Sequence, residues 1–77
     1  MLHLKNIRIK SEYAEADFYP EDSQVAGHVV VDLSSEEVLT CTDVSGYGAS
    51  YRGHAAQRLV KMAREKDART ECLVMWY

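Results

Sequence analysis

The segment LKNIRIKSEYAEADFY, residues 4–19, decides the fold because it holds two runs in which apolar and polar side chains alternate. In residues 4–10 isoleucines alternate with basic residues, and in residues 13–19 alanine and phenylalanine alternate with Tyr, Glu and Asp. Alternation with a period of two predicts half-buried β-strands. Only Ser11 and Glu12 separate the runs, so the segment predicts an antiparallel hairpin.

The register of this hairpin follows from its charges. A two-residue turn between the runs places Arg8 opposite Glu15. The same turn places Ile9 opposite Ala14. Opposite charges and apolar side chains that face each other stabilise an antiparallel pair, so we expect this register.

The next part of the chain extends the predicted sheet. Residues 20–24 combine the single proline with polar side chains and predict an exposed turn. Residues 25–33 are rich in valine and predict a third strand, and residues 37–43 predict a fourth. We expect strands three and four to pair with Leu33 opposite Val38, because the register one step away sets two carboxylates against each other.

Residues 51–66 change to a helical period. Apolar side chains recur there three and four residues apart, with charged side chains opposite them, and Ser50 is expected to cap the helix. Residues 71–76 are apolar and predict a last strand, whose place in the sheet stays open. The order β-β-β-β-α-β predicts an α+β fold of two layers, a mostly antiparallel sheet with one helix packed on one face.

Length and composition predict one small domain over residues 1–77. A chain of this size buries only about 60% of its unfolded surface, and association is a common additional source of stability. No stretch of the sequence is apolar enough to predict a membrane span or a signal peptide, so we expect a cytoplasmic protein without a membrane partner. Cys41 and Cys72 are expected to be free thiols.

Charge divides the chain into blocks. Nine acidic residues and no Lys or Arg lie between Lys10 and Arg52, although the net charge is only −3. The basic residues lie before and after this acidic block. Such polarity favours contact with an oppositely charged surface, which a second copy of the chain also offers.

The sheet face away from the helix is the predicted interface. The face toward the helix is expected to carry Ile7, Ile9, Ala14, Ala16, Phe18, Val29, Val31, Leu33 and Val38. The other face then presents Val30, Leu39 and Cys41, which we expect to form an apolar patch with one face of the last strand, either Val74 and Trp76 or Leu73, Met75 and Tyr77. Such patches usually mark interfaces, so we expect a homodimer or another homo-oligomer, or contact with another protein. Scattered surface hydrophobes are the alternative.

Two features suggest other functions. Arg58, Lys61 and Arg64 form a basic patch on the helix, which is typical of a nucleic-acid-binding accessory domain. The isoelectric point of about 5.5 and the acidic strands oppose that function, and a solvated helix face explains the charges equally. Nucleic acid is therefore an alternative partner only.

The glycine-rich stretch before the helix is the second feature. Gly46, Gly48 and Ser50 form an anion loop if their backbone amides and the helix N-terminus converge on a ligand, as in a small enzyme or anion-binding domain. The spacing matches neither common phosphate-binding motif, and no lysine lies in the loop. A strand that turns into a helix needs glycine for the same geometry.

No residue spacing indicates catalysis, a metal site or a cofactor. The three histidines and two cysteines follow none of the usual ligand spacings. A nucleophile and base formed by Cys41 and His28 requires both side chains on one sheet face and a pocket around them. We therefore predict no catalytic residues, no metal and no cofactor, and a protein-interaction or regulatory module rather than an enzyme.

Overall fold

The computed structural model of the protein describes residues 1–75, which form one five-stranded sheet and one helix. The elements are β1 (Leu2–Ile9), β2 (Tyr13–Pro20), β3 (Gly27–Asp32), β4 (Val38–Thr42), α1 (Ser50–Arg64) and β5 (Cys72–Val74). The strand order is β4-β3-β2-β1-β5, and all neighbouring strands are antiparallel. The helix packs on one face, so the predicted two-layer α+β fold is confirmed.

The hairpin of β1 and β2 has the predicted register. Arg8 lies opposite Glu15, and Ile9 lies opposite Ala14. The turn closes where the backbone N–H of Lys10 donates to the carbonyl of Tyr13 at 2.8 Å. Local alternation and charge pairing were sufficient to fix this part of the sheet.

β1 contains a β-bulge, which the regular strand predicted over residues 4–10 does not include. The register shifts between Lys5 and Arg8, where Asn6 has a left-handed backbone with φ of +54°. Asparagine adopts this conformation more readily than most residues. The extra residue reverses the alternation, so Leu4 before it and Ile7 after it are both buried. β1 also begins at Leu2, two residues before the predicted start.

The expected register of β3 and β4 is wrong. Val38 lies opposite Val31 rather than Leu33, and Leu39 is the extra residue of a second bulge. The cause is a longer loop. The carboxylate of Asp32 accepts hydrogen bonds from the backbone amides of the two following serines, at 2.8 Å and 3.3 Å. This side-chain-supported turn competes with the tighter hairpin that alternation alone predicts.

Two boundaries also differ from the prediction. Pro20 is the buried last residue of β2 rather than part of the exposed turn. Val25 is 67% exposed and lies outside β3, which begins at Gly27. The hydroxyl of Ser23 binds both the N–H and the carbonyl of Val25, at 3.1 Å and 2.8 Å, and so holds this residue in the turn.

The core lies between the sheet and one side of α1. Its buried apolar members are Leu2, Leu4, Ile7, Ala14, Ala16, Phe18, Val29, Val31, Val44, Ala55, Ala56, Leu59, Val60, Met62, Cys72 and Val74. The helix begins at Ser50, and Ala49 precedes it without a side-chain cap, so the expected cap at Ser50 is wrong. The helical turn starts one residue early because Gly53 N–H already donates to the carbonyl of Ala49.

The last strand lies at the sheet edge beside β1. Leu2 pairs with Val74, and Leu4 pairs with Cys72. β5 is shorter than the predicted 71–76, and Trp76 lies outside the described residues. The two sheet edges are therefore β4 and β5, with three strands between them.

Candidate interaction surface

β4 is a sheet edge that the helix leaves largely uncovered. The helix packs mainly on β1, β2 and β3. Val38 lies opposite Val31 on the helix side of the sheet, as predicted, but the helix does not cover it. Val38 is 41% exposed and Leu39 is 59% exposed. The sequence of β4, VLTCT, contains no charged residue and no proline. Charges, proline and covering elements are the usual protection of a sheet edge, and β4 has only the bulge.

The backbone of β4 has hydrogen-bonding groups that point away from the sheet. Asp32 N–H donates to the carbonyl of Glu37 at 2.8 Å, and alternate residues of a strand direct their backbone groups to the same side. Val30, two residues before Asp32, therefore bonds toward its partner Thr40. Cys41, the next residue, directs its N–H and carbonyl outward, where another strand can accept and donate.

Ionic groups mark both ends of β4. Arg52 on the helix lies 2.9 Å from the carboxylate of Asp43, just after the strand. Arg64 forms an ion pair with Glu36, just before it. Glu37 takes part in none of the ion pairs that residues 1–75 form. The two arginines therefore reduce the acidity of this edge without covering it.

Cys41 lies on the helix side of the sheet rather than on the predicted outer face. It pairs with Val29, which is fully buried beneath the helix, and its own side chain is half-buried against the core. Burial raises the pKa of the Cys41 thiol, and the Asp43 carboxylate beside it raises it further. His28 precedes Val29 and faces the opposite side, so the considered nucleophile and base are not brought together.

The predicted apolar patch is not continuous. Val30 lies half-buried in the interior of the sheet, and Leu39 lies at the β4 edge. The last strand lies at the opposite edge, four strand spacings or about 19 Å away. A continuous patch requires strands four and five to be neighbours, and the structure separates these two strands, whose relative placement the sequence left open. Its candidate residue Trp76 lies outside residues 1–75.

The outer face of β1, β2 and β3 is a network of compensated charges. The carboxylate of Asp17 accepts a hydrogen bond from the Asn6 side chain at 2.9 Å and lies 2.7 Å from Nδ1 of His28. Glu15 lies 3.9 Å from both Arg8 and Nε2 of His28. The hydrogen bond from Asn6, followed by that with His28, lowers the pKa of Asp17. Antiparallel sheets commonly present one polar face of this kind to water.

The basic residues of the helix have different surroundings. Arg58 and Lys61 line a depression of about 330 Å³ beside Met75, next to β5. Arg64, three residues after Lys61, forms an ion pair with Glu36. One of the three cations is therefore already bound to a carboxylate, which weakens the attraction of the set for a phosphate backbone.

The glycine-rich loop has a structural explanation. Gly46 has φ of +89°, a conformation that favours glycine. The carbonyl of Gly48 accepts a hydrogen bond from the first helical turn, in which Ser50 is the first residue. Arg52, the cation that follows this loop in the sequence, is already paired with Asp43, which leaves it less able to bind an anion.

Comparisons with models of protein families, with curated proteins and with solved structures find no match for this chain. Within residues 1–75, no group of three or more His, Cys, Asp and Glu side chains is arranged to hold a metal ion. No helix in this part of the chain is long and apolar enough to cross a membrane. The β4 edge is therefore the feature from which a function can be argued.

Sequence reasoning missed Thr40, Arg52 and Glu37 as members of this surface. A signal was present, because five uncharged residues, VLTCT, stand between acidic residues at both ends. The pattern predicts a strand but does not reveal whether that strand is an edge. Strand order and helix placement decide this point.

Proposed function

We propose that the protein is a protein-interaction module that self-associates by strand addition at the β4 edge. One observation carries this proposal: β4 is an edge strand with exposed apolar side chains, uncharged throughout and not covered by the helix. Strand addition uses the outward backbone groups for affinity and alternate side chains for specificity. This is the same physical situation that elsewhere leads to pairing between sheets.

Burial of apolar side chains adds to the backbone hydrogen bonds. Val38 and Leu39 expose 41% and 59% of their surface, and a strand laid along β4 removes part of this surface from water. Val30, half-buried in the interior of the sheet, contributes little. The interface in this proposal is therefore a sheet edge rather than a sheet face.

We also propose that the protein is located in the cytoplasm, which is a reducing compartment. Cys41 and Cys72 are both free, and Cys72 is buried in the core. Disulfides are rare in proteins of reducing compartments, and free cysteines are common there. The contact at β4 is accordingly non-covalent.

Light scattering over a range of concentrations tests self-association. We expect the wild type to pass from the 8.7 kDa monomer to a dimer as its concentration rises. Leu39→Lys places a charge on the β4 edge and should keep the protein monomeric, because a lysine on an edge strand opposes pairing. Leu73→Lys, at a residue 46% exposed on the opposite edge, is the matched control and should dimerise like the wild type.

Two results count against the proposal. A wild-type protein that stays at 8.7 kDa at high micromolar concentration removes self-association. A dimer that Leu73→Lys disrupts and Leu39→Lys does not would move the contact to β5. Circular dichroism of both variants verifies that they fold.

A further inference from the structure

We infer that the depression between α1 and β5 binds the phosphate group of a small phosphate monoester. The depression lies beside β5, at the sheet edge opposite β4, so the inference goes beyond the proposed function and does not depend on it. It follows from the residues that line the depression, from the cations that α1 leaves without an ion pair, and from the size of the space.

The lining of the depression is rich in hydrogen-bond donors. Four helix residues, three and four positions apart, line one side of it: His54, Gln57, Arg58 and Lys61. Side chains at this spacing are neighbours on the helix surface. Arginine and lysine only donate hydrogen bonds, and the glutamine amide adds two donors. Val74 and Met75 supply apolar lining on the other side, and the part of the chain that the structure describes contributes no acid to it.

The two cations of the depression differ from the other cations of the helix. Arg52 and Arg64 each form an ion pair with a carboxylate. Arg58 and Lys61 occur in none of the ion pairs formed within residues 1–75. The cations of α1 that stay available to a ligand therefore line the same depression, although acidic residues outnumber basic ones in the chain.

Asp67 is the acid whose titration shows the influence of Arg58, and it is bound elsewhere. Arg69 lies 2.6 Å from the carboxylate of Asp67. The side-chain hydrogen bonds from Arg69 are the main cause that lowers the pKa of Asp67, and the charge of Arg58 makes the smallest contribution. Arg58 therefore retains its capacity to bind another anion.

The charge and the size of the site indicate the class of ligand. A phosphate monoester has a charge of about −1.5 to −2 at pH 7, which matches two cations better than the single charge of a carboxylate. A guanidinium binds two phosphate oxygens through parallel N–H groups, and a lysine adds a point charge. The volume of about 330 Å³ lies at the lower end of the range of small-molecule sites. The apolar lining can contact the organic part of the ester.

Titration with phenyl phosphate tests the site. The measurement is the shift of backbone amide signals in NMR spectra of dilute protein at constant ionic strength. We expect saturable shifts at residues 54–61 and 74–75. Arg58→Gln should raise the dissociation constant of phenyl phosphate at least about tenfold, because charge-assisted hydrogen bonds are lost. Inorganic phosphate should bind more weakly than phenyl phosphate, because it lacks a ring that Val74 and Met75 can contact.

Arg52→Gln is the matched control for Arg58→Gln. It removes the same charge from the same helix, but Arg52 does not line the depression. The dissociation constant should change less than about twofold, because exposed charges at a distance are screened by salt. Circular dichroism verifies that both variants fold.

Three results overturn the inference. Titration to millimolar phenyl phosphate without saturable shifts removes the site. Equal losses of affinity in Arg58→Gln and Arg52→Gln also remove it, because binding then reflects only the overall charge of the protein. Equal affinities for inorganic phosphate and phenyl phosphate overturn the assignment to a monoester. Self-association at β4 is measured separately by light scattering, so none of these results decides it.

Discussion

The two edges of the sheet differ in length, cover and charge. β4 has five residues, no charged side chain and little contact with the helix. β5 has three residues, and two of them, Cys72 and Val74, are buried beneath the helix. Arg69 and Glu71 add charges just before β5. A short, charged edge is better protected from pairing than a longer, uncharged edge whose only protection is a bulge. β4 is therefore the edge at which we propose strand addition.

The same comparison separates stability from recognition. The helix covers β1, β2 and β3, where Phe18 and Val29 are almost entirely buried, and these strands hold the core together. β4 adds a hydrogen-bonded ladder to β3 but few buried side chains. If the proposed contact at β4 exists, a substitution in β4 should weaken that contact with little cost to folding, and a substitution under the helix should do the reverse.

The largest expected change in the free energy of unfolding comes from a substitution in the strands that the helix covers. Phe18 is 1% exposed, and Phe18→Ala should lower the free energy of unfolding by about 3–5 kcal/mol through lost apolar burial and the cavity left behind. Val38→Ala, at a residue 41% exposed in β4, should change it by no more than about 0.5 kcal/mol. Urea denaturation of dilute protein measures both. A large cost for Val38→Ala contradicts the view of β4 as an uncovered strand.

Much of the fold was predictable from local patterns. Period-two alternation identified the strands, and helical spacing identified α1, because these signals depend on neighbours in sequence. The bulges at Asn6 and Leu39 were not predictable in this way. Each inserts one residue and reverses the alternation on which the prediction relied. The register of β4 also depends on the turn in which the Asp32 carboxylate accepts backbone hydrogen bonds from Ser34 and Ser35. The alternation of apolar and polar residues carries no information about such side-chain hydrogen bonds.

The interface was less predictable than the fold. Leu39 was identified as an interface candidate, and that role stays a prediction, but Cys41 was placed on the wrong face. The patch with Trp76 required strands four and five to be adjacent, and their separation depends on the pairing of β5 with β1. This long-range pairing has no local signal in the sequence. Backbone groups at an edge likewise become visible only once the strand order is known.

A smaller effect is expected where the two regions meet. Gly27 begins β3, and a Cβ atom at this position lies 2.4 Å from Cζ of Phe18 and 2.4 Å from the backbone oxygen of Thr42. Gly27→Ala should therefore push β4 away from the core and cost about 1–3 kcal/mol, as overpacking generally does. Thermal unfolding measures the cost, and faster amide exchange at Thr42 locates it.

Gly53 provides the matched control for this substitution. Gly53 is a helical residue, and a Cβ atom there meets nothing within 4 Å beyond its chain neighbours and the backbone of its own helix. Gly53→Ala should raise stability by about 0.5–1 kcal/mol, because alanine loses less backbone entropy in a helix. Equal changes for the two variants contradict the proposed contact at Gly27.

The smallest expected effect concerns pH and the polar network that joins β1, β2 and β3 without reaching β4. Hydrogen bonds from Asn6 and with His28 lower the pKa of Asp17 below its ordinary value of 3.8. The ionised carboxylate therefore stabilises the folded state. This contribution is fully present above the unfolded pKa and is lost as the pH falls through the lower folded pKa.

Urea denaturation between about pH 6 and pH 2 should show this loss as a fall in the free energy of unfolding. Asp17→Asn should make the free energy of unfolding depend less steeply on pH. Asn6→Ala should reduce this pH dependence less, because His28 stays in place. If Asp17→Asn leaves the pH dependence of the free energy of unfolding unchanged, the network does not account for it. The acid dependence then belongs to other carboxylates such as Asp32, because hydrogen bonds from Ser34 lower the pKa of Asp32.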